Sequence, residues 1–205
     1  MRDRTKCQEE WEERYRSGQT GWDRGTASPA LLSWLEKGQL QPCRILIPGC
    51  GRGHEVTLLA QRGFHVTAVD IAPAAVLSLR TLLARQESNA IVHQADLLTW
   101  EPEAPFAAIY EQTSLCALPP EVWTDYAARL WRWLQPGGHL FALFMQTGRA
   151  GGPPFHCAID AMEALFAASH WQWPSQPPMR VDHPNGFYEW GYCLTAMNNV
   201  DGAKT

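Results

Sequence analysis

The stretch Ile45–Glu55, reading Ile-Leu-Ile-Pro-Gly-Cys-Gly-Arg-Gly-His-Glu, constrains the fold more than any other part of the chain. A short apolar run turns through three alternate glycines and passes straight into a helical pattern from about His54. A strand that breaks on glycines and enters a helix is a nucleotide-type binding turn. The glycines permit a tight turn and close backbone approach to a ligand, because no Cβ stands in the way. The helix beyond presents unsatisfied N–H groups and partial positive charge.

The pattern then repeats. Strands are predicted at 45–48, 64–70, 90–93, 106–110 and 139–145, with helices over 53–62, 73–85, 120–134 and 158–168. Pro73 and Pro120 suit first helical turns, and Pro136-Gly137-Gly138 reads as a hard stop before the fifth strand. Such alternation argues an α/β, doubly wound, mostly parallel sheet with helices on both faces. Right-handed crossovers put the glycine turn at the carboxyl edge, where such sheets bind ligands. Residues 179–181 and 187–197 around Pro184-Asn185-Gly186 predict an antiparallel C-terminal hairpin, bringing the sheet to seven strands. Upstream, a helix over residues 6–17 carries Trp11 and Tyr15 on one face. Ser28 and Pro29 open a second helix to about Lys37, with Leu31, Leu32 and Leu35 as its apolar stripe. With no repeat and no linker, one domain is expected over residues 1–197, its first 40 residues a helical lid segment, followed by a flexible tail at 198–205.

Composition narrows the partners. The 205 residues are 45% hydrophobic and 19% charged, enough for a full core. A net charge of −4 lacks the basic surplus that nucleic-acid binding calls for. No apolar run approaches transmembrane length, and no signal-type segment follows the charged N-terminus. The six cysteines form no C-x-x-C pair, so reduced thiols and no metal site are expected. These features describe a cytoplasmic protein, monomeric, acting on a small molecule, with no nucleic acid or membrane as partner.

Three constellations carry chemistry. Asp70 closes the second strand beside the glycine turn, where its carboxylate can take both hydroxyls of a ribose. That geometry serves NAD and S-adenosylmethionine equally. His54 stands where a dinucleotide fingerprint wants its third glycine, and no second half with nicotinamide machinery follows. The balance moves toward S-adenosylmethionine, with an NAD-dependent oxidoreductase and a non-catalytic S-adenosylmethionine-binding protein as the alternatives. Asp96 and Leu97, after the third strand, suit an adenine amino group and ring, or alternatively a turn cap. Tyr110-Glu111-Gln112-Thr113-Ser114 leaves the fourth strand at the switch-point region, so its polar residues are read as ligand-facing.

Taken together, Pro48-Gly49-Cys50-Gly51, the upstream Trp11 and Gly21-Trp22-Asp23, and the late Gly151-Gly152-Pro153-Pro154-Phe155 resemble the thiopurine S-methyltransferase family. The match looks closest to its plant halide and thiol methyltransferase branch and runs from about Trp11 to about Met197. The resemblance implies a class I methyltransferase fold with S-adenosylmethionine as methyl donor and S-adenosylhomocysteine as product. It implies that Trp11, Tyr15 and Trp22 fold over the cofactor, that Gly49 and Gly51 contact it, and that Asp70 with Ile71 holds the ribose. Asp96 and Leu97 match the adenine-side pair, and Gln112 a residue near cofactor and acceptor. At that position the thiopurine enzymes have arginine and the plant enzymes tyrosine, so Gln112 departs from both. Tyr15 stands where tryptophan is more usual.

Transfer of a methyl from a sulfonium is an in-line displacement, in which alignment contributes roughly 7–11 kcal/mol. A soft nucleophile such as a thiol, hydrosulfide, thiopurine or halide then needs a dry, well-placed pocket. Trp22, Gln112, Thr113 and Phe155 are the acceptor-side candidates. Glu111, Gln112 and His156 are the candidates for catalytic assistance, none of them dictated.

Overall fold

Why each segment adopts its structure follows from the same local signals. The computed structural model describes residues 4–183 and 186–197. The Pro184–Asn185 turn and the tail at 198–205 therefore lie outside the described residues. The chain divides into two compact units, which meet at Trp100 and Glu101.

The first unit opens with α1 (Arg4–Arg16) and α2 (Pro29–Glu36). Ser28 caps α2, its hydroxyl accepting from the Ala30 amide at 3.3 Å. The buried face of α2 is Ala30, Leu31 and Trp34 rather than the leucine stripe expected from sequence. Three parallel strands follow, β1 (Arg44–Pro48), β2 (His65–Asp70) and β3 (Ile91–Gln94), in the order β3-β2-β1. β1 is buried along Ile45–Pro48 without alternation, as a strand covered on both faces must be. The crossovers are α3 (His54–Gln61), buried through Val56 and Leu59, and α4 (Pro73–Arg85), buried through Ala75, Val76, Leu79 and Leu83. Leu82, on the same helix, is exposed.

The second unit holds β4 (Phe106–Gln112), a helical turn α5 (Ser114–Ala117), α6 (Trp123–Trp133), β5 (Leu134–Gln146), α7 (Ile159–Leu165), β6 (Trp171–Gln172), β7 (Met179–Asp182) and β8 (Tyr188–Ala196). β4 and β5 are parallel, β8 runs antiparallel beside β5, and β6 and β7 both pair with β8. The described strands number eight where seven were expected; the short β6 is the addition. The expected stop at Pro136-Gly137-Gly138 is also corrected. α6 ends at Trp133, and β5 begins at once, with Leu134 opposite Phe106. A register shift between Phe106 and Ala108 absorbs the glycines. Phe141, Phe144, Tyr126, Trp133 and Phe166 fill the core of this unit. Among the described residues no helix is long and apolar enough to cross a membrane.

Candidate active site

In the first unit the glycine turn is held from two sides. Gly51 adopts φ 51°, and a Cβ there would lie 2.7 Å from the Tyr15 hydroxyl. Gly53 adopts φ 75° just before α3, and a Cβ there would run into Leu79. Both positions therefore need glycine for conformation and for space.

Asp70 anchors the turn. Its Oδ2 accepts from the Gly51 amide at 2.8 Å and its Oδ1 from the Ala72 amide at 2.9 Å. Burial pushes its pKa up, and the amides of Ala72, Gly51 and Ile71 oppose that shift. A carboxylate offers about four acceptor sites, so each oxygen keeps capacity for a ligand hydroxyl. Ile71 follows it, half-buried.

The loop carrying Trp22 is fixed to the same turn. Asp23 Oδ2 lies 2.8 Å from Arg52 Nε, and Asp23 Oδ1 lies 2.9 Å from His54 Nε2. Trp22 meets the edges of Trp11 and Tyr15 at centroid distances of 5.4 and 5.8 Å. Trp11, Tyr15, Trp22 and Gly51 are thus brought together with Asp70. Burial, then the Asp70 charge, pushes the Tyr15 phenol well up, so it stays protonated. Glu12 reaches the Ala74 amide at 2.7 Å and ties α1 to the start of α4. Asp96 serves its own turn, Oδ1 accepting from Leu98 N at 2.8 Å, with Leu97 half-buried beside it.

In the second unit, Gln112 ends β4 with both ends of its amide engaged. Its Oε1 accepts from the Tyr110 hydroxyl at 2.7 Å, and its Nε2 donates to Glu189 Oε2 at 2.8 Å. His183 Nε2 stands 2.9 Å from the same Glu189 oxygen, near in distance but off the hydrogen-bonding line. Both are buried, His183 at 3% and Glu189 at 0% side-chain exposure. Thr113 follows at φ 64°, left-handed and unusual for a β-branched residue. Its hydroxyl donates to the Gln112 carbonyl at 2.7 Å.

Two of the catalytic candidates have local hydrogen-bond partners. Glu111 is buried, and its Oε1 accepts from the Leu115 amide at 2.7 Å, which caps α5. Burial, reinforced by the Glu189 charge, pushes its pKa up to about 8. At neutral pH it is mostly protonated, and its Oε2 is buried with no hydrogen-bond partner among the described residues. His156 Nδ1 accepts from the Thr147 amide at 3.1 Å, so its basic lone pair is committed to the loop after β5. Phe155 is half-buried; its amide donates to the Cys116 carbonyl at 2.7 Å, and its ring lies where a Cβ on Gly152 would go.

Sequence reasoning missed Glu189 and His183. They fall in the C-terminal hairpin region, which was read for its strands alone; Glu189 lies 77 residues beyond Gln112, and no local spacing marks either residue. Asp23 was visible as part of a motif, but not as the residue that ties the loop down.

The family model described as Thiopurine S-methyltransferase matches residues 6–192. The chain is 34% identical over 160 residues to Probable thiol methyltransferase 2 of Arabidopsis thaliana, covering 76% of this chain and 70% of that protein. It is 31% identical over 159 residues to Thiocyanate methyltransferase 1 of Brassica oleracea, covering 76% and 70%. Among solved structures, 1,6-didemethyltoxoflavin-N1-methyltransferase of Burkholderia thailandensis, with S-adenosylhomocysteine bound, has a similar fold. The TM-score is 0.73 at 19% identity, covering 93% of this chain and 87% of that one.

Proposed function

The chain belongs to the thiopurine S-methyltransferase family, and on that premise we propose that it methylates a small, neutral, proton-bearing thiol or hydrogen sulfide. The enzyme is an S-adenosylmethionine-dependent methyltransferase of the thiol and thiopurine type. Bound S-adenosylmethionine supplies an electrophilic methyl group. Residues of the first unit fit such a group: the glycine turn is bare of Cβ atoms at Gly51, and Asp70 retains acceptor capacity for ribose hydroxyls. Trp11, Tyr15, Trp22, Gly49, Gly51, Asp70, Ile71, Asp96 and Leu97 are its proposed contacts, the aromatic rings excluding water.

The observation that carries the acceptor class is the bond from Gln112 to the buried Glu189 carboxylate. Gln112 takes the place of a cationic or phenolic residue in the enzymes it resembles, and it presents a carboxylate-backed amide instead. An anion brought beside a buried carboxylate is repelled, more strongly as water is excluded. A neutral thiol meets no such penalty, and Gln112, Thr113 and Phe155 are its proposed neighbours. The test is a panel of acceptors with labelled S-adenosylmethionine, reading S-adenosylhomocysteine. Turnover with small thiols or hydrogen sulfide is expected; no turnover with any of them would refute the assignment.

A further inference from the structure

Glu189 is a buried acid that the donor side does not use. It is the second residue of β8, opposite Met145, and Gln112 is the last of β4, opposite Leu143, so both stand near the carboxyl end of β5. Its Oε2 is held by Gln112 Nε2 at 2.8 Å and faced by His183 Nε2 at 2.9 Å. Its Oε1 is buried and has no hydrogen-bond partner among the described residues. A buried carboxylate oxygen left unpaired carries its full desolvation cost, so such an atom calls for a bound donor. The orientation is also fixed from behind. Tyr110 donates to Gln112 Oε1, which leaves the amide nitrogen for Glu189.

Resting on the thiol reading above, we infer that Glu189 is the general base of the reaction, its Oε1 taking the proton of the acceptor thiol. The S–H bond breaks and an O–H bond forms on Glu189. The electron pair stays on the acceptor sulfur, which forms the new S–CH3 bond as the donor's C–S bond releases its pair to the donor sulfur. One proton is left on Glu189 and passes to solvent in the next opening of the site. Gln112 and His183 are positioning residues, holding Oε2 so that Oε1 is presented. The other titratable groups that feel the Glu189 charge are Glu111 on β4, Cys116 on α5 and Cys157 after β5. Burial is the largest cause raising the pKa of each of these three, so all are mostly protonated at pH 7 and none competes for the proton.

The test compares two acceptors in Glu189→Gln, which keeps the shape and an acceptor for Gln112. One acceptor is 2-mercaptoethanol, neutral at pH 7; the other is a nitro-substituted thiophenol, already ionised there. Loss of about 100-fold or more in kcat is expected for the first, with a change of a few-fold for the second. Equal losses on both, or no loss on either, would overturn the inference. A second readout is the pH profile with 2-mercaptoethanol. The variant's kcat should climb toward the pH at which the thiol ionises by itself, while wild type already turns over at pH 7. Profiles of the same shape count against Glu189. If wild type transfers methyl to neither thiol, the proposed function fails and the inference with it; wild-type turnover with equal losses in the variant overturns the inference alone.

Discussion

His54 Nε2 lies 2.9 Å from Asp23 Oδ1, and this pair fastens the Trp22 loop to the first turn of α3. The position where a dinucleotide turn needs a third glycine is thus used as a handle for the Trp22 loop. Asp23 also takes Arg52 at 2.8 Å and the Gly25 amide at 2.8 Å, so one carboxylate organises both the loop and its attachment.

Asp23→Ala should separate cover from stability. Arg52 is 42% exposed, so the lost pairs should change stability by less than about 1 kcal/mol. Binding of S-adenosylhomocysteine should weaken roughly tenfold, about 1.4 kcal/mol, because Trp22 loses its anchor. Calorimetric titration beside a thermal melt checks this. Unchanged affinity would mean that the loop is not part of the cofactor site.

Gly51→Ala should destabilise by about 1–3 kcal/mol through the left-handed backbone, with a further cost from the Tyr15 hydroxyl. Tyr15→Phe removes that oxygen and should recover the steric part only. Denaturant unfolding of the two single variants and the double variant gives the coupling; strict additivity would contradict the close approach.

Asp70→Ala removes the acceptor for both the Gly51 and the Ala72 amides. Simple loss of a ribose contact would leave the melting temperature alone. The geometry instead predicts a loss of about 2–4 kcal/mol in stability together with a sharply raised cofactor KM. Asp70→Asn should keep one amide partner and much of the stability while still binding the cofactor weakly. Cofactor affinity equal to wild type in both variants would confine Asp70 to a structural role.

Glu111 gives a pH signature. Its folded pKa of about 8 lies above its ordinary 4.5, so the folded state binds the extra proton between those values. Its contribution is fully present below pH 4.5 and is lost as pH rises through about 8. Glu111→Gln keeps an acceptor for Leu115 N but cannot ionise. Thermal melts from pH 5 to pH 8.5 should show wild type losing stability relative to the variant as pH rises. Parallel curves would mean that Glu111 is not held protonated.

What the sequence made legible was local. The apolar run Ile45–Ile47, the glycines behind it, Pro73 at the start of α4 and Asp70 at the end of β2 each carry their own signal within a few residues. On α2 the leucine stripe was only partly right, because a helical face is chosen by what packs against it, and the burial went to Ala30, Leu31 and Trp34. β6 has two residues, too few for any periodicity to show. In the site, Asp70 was legible because strand order puts it beside the glycines. The Gln112–Glu189 bond was not, since it depends on β8 returning beside β5 with a register that no residue in either strand announces. The Thr147 amide on His156 Nδ1 was not legible either, since it depends on how the loop after β5 folds back.

On the proposed function the acceptor is a neutral thiol and not a preformed anion. Competition in one vessel between equal concentrations of 2-mercaptoethanol and thiocyanate at pH 7, for labelled methyl from S-adenosylmethionine, decides between the two. The predicted product is chiefly the methyl thioether of 2-mercaptoethanol, by tenfold or more (about 1.4 kcal/mol of discrimination). A product that is mainly methyl thiocyanate would contradict it.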